Sequence, residues 1–155
     1  MSESEIKVAD YLNTKMTLLS TDFSNNEELF EQIAKIGLDN NYVTEDFLPK
    51  IKKREQEFPT GLQLEKQGVA IPHTDADTIK HEFVAVITNK NPIGFKRMDD
   101  PSEEVKAQVI FVLGLNMPHA QLEMLQALMS IIQNNDLLDS VKAASSFEEV
   151  QQLLN

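Results

Sequence analysis

The sequence predicts an α/β fold, a single domain in which a mixed β-sheet is flanked by helices on both faces. Apolar runs of strand length alternate with segments of helical periodicity along the chain. Two of those runs, His81 to Thr88 and Ala107 to Leu115, follow one another without a helix between them. The second is apolar at every position from Val109 to Leu113, the mark of a strand covered on both sides. A chain of 155 residues suits one domain and at that size buries about 70% of the surface its unfolded form exposes.

From the N-terminus, residues 1–14 read as an arm before a domain over residues 15–155. Met16 to Leu19 is a short strand candidate. Ser24 stands three residues before Glu27, a capping-box spacing, and Leu29, Phe30, Ile33 and Ala34 follow at helical intervals, with Gly37 near the helix end. Thr44 reads as the cap of a second helix, with Phe47, Leu48 and Ile51 on its inner face and Arg54 further along. Phe58-Pro59-Thr60-Gly61 leads into a turn-like stretch, and Val69 to Ile71 is short and apolar. After the two central strands, Pro118 opens an amphipathic helix through Leu122, Leu125, Leu128, Met129 and Ile132, since proline is favoured at the first helical position. Asp136 and Ser146 read as caps of two final helices, with Glu149 three residues beyond the latter.

Acidic residues outnumber basic ones by 25 to 14, for a net charge of −11. Binding a phosphate backbone needs concentrated positive charge, so no nucleic-acid partner is expected. Acidity of this kind serves solubility, or docking to a basic protein. With no cysteine, neither a disulfide nor a thiolate site is available. The N-terminus lacks a basic segment followed by an apolar run, and the longest apolar run is far short of a membrane span. A soluble, cytoplasmic protein without membrane insertion is the expectation.

Histidine is the scarce reactive residue, present three times. His73 follows a short apolar strand and Pro72, which fixes φ and keeps the preceding residue extended. His119 lies just past the Val109–Leu115 strand, in the first turn of the helix that Pro118 begins. Strand C-termini and helix N-termini collect ligands in α/β folds, and a helix start offers free N–H groups to anions. His73 and His119 are therefore placed where two strand exits face one crevice. His81, beside Lys80 and Glu82, is read as a solvated residue. A metal-dependent hydrolase using His73, His119 and Asp75 is a competing reading, since imidazole and carboxylate suit a hydrolytic metal.

The segments Arg54-Glu55, Pro59-Thr60-Gly61-Leu62 and Gly68-Val69-Ala70-Ile71-Pro72-His73 together resemble the active-site signature of the enzyme IIA domains of the bacterial phosphotransferase system. The subgroup is the fructose–mannitol type, which includes nitrogen-regulatory members. Val109 to Leu113, followed by His119, Leu122, Leu125 and Leu128, is similar to that family's second strand-to-helix element. Gln63 to Gln67 replace the family's short glycine-rich turn, and Phe58-Pro59-Thr60-Gly61 looks like the galactitol-specific branch.

The resemblance implies a phosphotransferase component whose His73 is phosphorylated on Nε2 by the carrier HPr. The phosphoryl group then passes to a cysteine of enzyme IIB during uptake of a sugar or alditol such as galactitol. Any association with the membrane component IIC would run through IIB. Neutral imidazole, with an unperturbed pKa of about 6.5, suits a reversible acceptor. Arg54 is the candidate cationic clamp for phosphoryl oxygens, against the plainer reading of a surface salt bridge to Glu55 or Glu57. His119 is assigned a hydrogen bond to the phosphoryl group or to the ring of His73, and Thr60 and Thr74 are added as phosphate-positioning hydroxyls. No cofactor and no metal is implied. A regulatory module of the same fold, whose phosphorylation state controls a protein target, is the alternative.

Overall fold

The computed structural model describes residues 6–155, with the backbone alone at Pro118 and His119. In chain order, a 3-10 turn at Val8–Tyr11 leads into β1 (Leu12–Thr21), α1 (Asn26–Asp39), α2 (Phe47–Glu57), β2 (Gly61–Gln63) and β3 (Gly68–Ala70). A second 3-10 turn at Ala76–Thr78 precedes β4 (Phe83–Arg97), β5 (Asp100–Gly114), α3 (Pro118–Ile132), α4 (Asn135–Ala143) and α5 (Phe147–Leu154).

The described residues form one mixed sheet. β4 and β5 make a long antiparallel hairpin, with Phe83 opposite Gly114 and Ile87 opposite Ile110. β1 runs parallel to β4, and β3 runs parallel to β5. β2 closes antiparallel on β3 and touches the far end of β4 through a Gly61–Arg97 bridge. The close approach there needs glycine, because a Cβ at Gly61 would lie 2.6 Å from the Lys96 carbonyl oxygen.

Because successive strand residues point to opposite faces, the apolar run of each central strand divides between two cores. Phe83, Ala85, Ile87, Ile110 and Val112 pack with Leu29, Phe30 and Ile33 of α1 and Phe47 and Ile51 of α2. Val84, Val86, Val109, Phe111 and Leu113 pack with Met124, Leu128 and Ile132 of α3, Leu138 and Val141 of α4, and Val150 and Leu154 of α5. Each fully buried Leu, Ile or Phe among these contributes about 1.5–3 kcal/mol. Helices thus cover both faces, as the sequence predicts.

Local details differ from expectation. β1 starts at Leu12, and Val8 and Ala9 ahead of it are buried, so chain read as arm is joined to the domain from residue 8 onward; residues 1–5 lie outside the described residues. The cap of α1 is Asn25, not Ser24: its side chain accepts from Glu28 N, while Glu28 Oε1 accepts from Ser24 N at 2.8 Å. Thr44 does not cap α2 directly but forms the turn before it, accepting from Asp46 N on its hydroxyl and from Phe47 N on its carbonyl. Asn134, rather than Asp136, caps α4. Ser146 caps α5 and accepts from Glu149 N. Both central strands run well past their apolar stretches, and the turn-like stretch after Gly61 is the β2–β3 hairpin, closed by Leu64 N donating to Gln67 O at 2.9 Å. None of the helices described is long and apolar enough to cross a membrane.

Candidate active site

β3 and β5 run parallel and leave the sheet at the same end. Past that end, Ile71-Pro72-His73 stays against β5: Leu113 N donates to Pro72 O at 2.9 Å, and His73 bridges Leu113 in parallel register. β5 then turns at Asn116 and Met117 into α3, which places His119 in the first helical turn, six residues beyond Leu113 in the chain. The backbone thus brings the two strand exits together; the side chain of His119 lies outside the described residues.

The ring of His73 is half-buried, and its Nδ1 is 2.9 Å from the carbonyl oxygen of Ile71. A carbonyl only accepts, so Nδ1 carries the proton and the neutral ring presents its lone pair at Nε2. Burial holds the His73 pKa below the ordinary imidazole value; the Ile71 bond partly offsets this, and the nearby charge of Arg54 lowers it further. The site therefore keeps a neutral imidazole with a defined tautomer.

Arg54 sits in the last turns of α2. Its guanidinium lies 5.1 Å from the ring centroid of Phe58 and 3.5 Å, through Nη1, from Asp75 Oδ1. The salt bridge to Glu55 or Glu57 does not form; Arg54 instead faces the loop that follows His73. Its Nε is buried without a hydrogen-bond partner among the described residues. Lys50, one helical turn earlier, reaches the same loop at 3.6 Å from Asp75 and 3.5 Å from Asp77. Two cations on one face of α2 and two carboxylates just past His73 thus form an exposed charged border. Asp75, the carboxylate of the hydrolase reading, is engaged by these cations.

Glu55, adjacent to Arg54 in sequence, turns the other way and is buried. Its Oε2 accepts from Thr60 N at 2.9 Å and its Oε1 from the Thr60 hydroxyl at 2.8 Å. The hydroxyl hydrogen of Thr60 is therefore directed at Glu55, not at the space beside His73. Desolvation pushes the Glu55 carboxyl up to about 7 in spite of both Thr60 bonds. Thr74, directly after His73, is also buried. His81 is outside the site, stacked on Tyr42 with centroids 5.0 Å apart. Sequence reasoning singled out neither Lys50 nor the inward role of Glu55; residues four apart on a helix share a face while adjacent ones do not, and that spacing was the available signal.

Apolar side chains stay exposed on the segments leading into this region. Phe58 is 62% exposed beneath Arg54, and Met117 and Leu122, at the start of α3, are 49% and 62% exposed. The described side chains thus place a half-buried imidazole with a defined tautomer and a guanidinium at this end of the sheet, with exposed apolar side chains on the segments that lead into it.

The family described as the phosphoenolpyruvate-dependent sugar phosphotransferase system, EIIA 2, matches residues 10–155. The galactitol-specific EIIA component of the phosphotransferase system in Escherichia coli K12 is 28% identical over 119 residues, which covers 77% of this chain and 79% of that one. Among solved structures, nitrogen regulatory protein IIA-Ntr from Neisseria meningitidis superposes with a TM-score of 0.76 at 25% identity, covering 96% of this chain and 99% of that one. The complex of IIAMtl and phosphorylated IIBMtl from Escherichia coli matches with a TM-score of 0.71 at 18% identity, covering 92% and 96%; at that identity the likeness is one of fold.

Proposed function

This chain belongs to the EIIA type 2 family of the phosphoenolpyruvate-dependent sugar phosphotransferase system, whose members are phosphotransferase components, and from that premise we propose that His73 accepts a phosphoryl group from HPr and delivers it to a cysteine of an enzyme IIB. The observation that carries this reading is the Nδ1 bond to Ile71, which leaves Nε2 as the free nucleophile beside Arg54. In the first transfer the Nε2 lone pair forms a P–N bond while the P–N bond of the phosphohistidine donor breaks. Nδ1 keeps its proton on the Ile71 carbonyl, so the phosphorylated ring carries a formal positive charge and is a ready leaving group. In the second transfer that bond breaks as a cysteine thiolate of the partner forms a P–S bond.

Phosphoryl transfer runs through a loose, charge-rich transition state, so positioning and electrostatic stabilisation are the protein's main contributions. Arg54 supplies the guanidinium. His119, in the first turn of α3, supplies a hydrogen bond to a phosphoryl oxygen. Thr60 acts through the loop it anchors, and Thr74 helps to seat His73. Phe58, Met117 and Leu122 provide a docking surface for two partners in turn, a task that favours small, transient interfaces. Neither nucleic acid nor a metal has a part in this scheme, and the work is cytoplasmic.

The galactitol-specific relative supports transport of galactitol or a similar alditol. The likeness to IIA-Ntr gives weight to a second reading, a regulatory module without a sugar-transporting partner. Incubation with phosphoenolpyruvate, enzyme I and HPr should place an acid-labile, base-stable phosphate on His73, and absence of label would remove the carrier reading. Transfer onward to a galactitol IIB separates transport from regulation. His119→Ala should slow transfer from phospho-HPr by about 10–100-fold, the cost of one charge-assisted hydrogen bond. Unchanged rates in rapid mixing would take His119 out of the site.

A further inference from the structure

We propose that Glu55 is a positioning residue for His73, fixing the direction of its imidazole through Thr60 and Ile71 without touching the phosphoryl group. The reading of what the ring then does rests on the phosphocarrier function above; the positioning itself does not.

The connection is continuous. Glu55 holds Thr60 at two points, the backbone N–H at 2.9 Å and the hydroxyl at 2.8 Å. Thr60 O accepts from Ile71 N at 3.3 Å, and Ile71 O accepts from His73 Nδ1 at 2.9 Å. Pro72, between Ile71 and His73, has no N–H to offer and a fixed φ, and its carbonyl is held by Leu113 N. The peptides on either side of Ile71–Pro72 are thus held, one by Thr60, which Glu55 anchors from α2, and one by β5, and with the φ of Pro72 fixed the carbonyl that selects the His73 tautomer has little freedom to swing. The longest link is the 3.3 Å bond from Ile71 N to Thr60 O, and each residue in the connection except His73 is buried.

The choice of residue at position 55 points the same way. A carboxyl buried without a cation among its hydrogen-bond partners is costly, and desolvation has raised its pKa. An apolar side chain would fill the position at lower cost if filling were the requirement. The return is geometric: adjacent residues on a helix project about 100° apart, so α2 aims Arg54 outward at the His73 loop and Glu55 inward at its support. The charge beside the ring and the anchor beneath it are carried by one rigid element.

The test reads the ring directly. In the intact chain, imidazole ¹⁵N–¹H correlation spectra should show His73 as the Nδ1–H tautomer. Glu55→Gln keeps both contacts, with its carbonyl oxygen accepting from Thr60 N and its amide donating to the Thr60 hydroxyl oxygen. That variant should keep the tautomer and transfer phosphate from phospho-HPr within about twofold of the parent. Glu55→Ala should populate the Nε2–H form and slow transfer by about tenfold or more. A folded Glu55→Ala protein with an unchanged His73 tautomer overturns the proposal, whatever its rate. Should Glu55→Ala fail to fold, Thr60→Val deletes the hydroxyl leg at nearly constant volume, and an unchanged tautomer there overturns it equally. A tautomer change in Glu55→Ala, with no phosphate accepted by the parent protein, would uphold the positioning and reject the carrier function.

Discussion

His73→Ala is expected to reduce phosphate acceptance from phospho-HPr to background while leaving the fold in place. The proposed nucleophile is one atom, Nε2 of His73, left without the proton because Nδ1 is committed to Ile71 O at 2.9 Å. His81 is not expected to substitute, since its ring is stacked on Tyr42 with centroids 5.0 Å apart. The structural cost should be small: the ring is half-buried and makes one hydrogen bond, worth about 1 kcal/mol, and Leu113 still holds Pro72 through the backbone. Phosphate labelling followed by far-ultraviolet circular dichroism checks both halves, and retained labelling of a folded variant would place the nucleophile elsewhere. The pH dependence has a definite sign. Burial lowers the folded-state pKa of His73 below its ordinary 6.5, so the unfolded chain takes up the proton first as pH falls. The stability of the parent protein linked to this residue is present above that value and is lost on acidification through it. His73→Ala lacks this loss, and the stability gap between the two proteins should narrow as pH falls through the ordinary imidazole value in denaturant titrations.

The two-core architecture was legible because burial on both faces leaves a strong mark: the continuous run Val109 to Leu113 allows no solvent-facing side. The helix start at Pro118 was legible for an equally local reason, a missing N–H that costs nothing at the first turn. Caps were less legible. Ser24-Asn25-Asn26-Glu27-Glu28 offers two registers for the same box, and tertiary packing selects Asn25 with Glu28. The outer half of the β4–β5 hairpin was missed because Lys90, Asn91, Pro92, Glu103 and Glu104 dominate its composition; Ile93 and Phe95 opposite Ala107 and Val105 hold it through cross-strand packing that only pairing reveals. At the candidate site, the place of His73 just past the end of β3 was legible from Ile71-Pro72-His73 because the proline constrains the chain on either side of it. The partners of Arg54 and Glu55 were not, since an adjacent Arg-Glu pair invites a mutual salt bridge that helical geometry prevents. The ion pairs with Asp75 depend on how the loop after His73 folds back over α2, which no local spacing encodes.

Arg54→Ala is expected to give the second-largest loss, about 10²–10³-fold in the rate of transfer from phospho-HPr, the range for removing one preorganised donor from a developing anion. Among the described residues its guanidinium makes one ion pair, a 3.5 Å contact to the half-exposed Asp75, and its Nε has no hydrogen-bond partner. Such an exposed pair is worth no more than about 1 kcal/mol, so exchanging Asp75 for phosphoryl oxygens is cheap and gains a bidentate, charge-assisted contact. Arg54→Lys should recover part of the rate, because it restores a charge without the planar fork. A structural role alone would predict the reverse emphasis, loss of stability with transfer intact, since the guanidinium also covers the Phe58 ring. The ring of His73 supplies an independent readout. Arg54 lowers its pKa, so Arg54→Ala should move the His73 titration upward in NMR. An unshifted titration together with an unchanged transfer rate would show that the guanidinium does not act on the imidazole, and the phosphoryl clamp would have to be sought at Lys50 on the same face of α2.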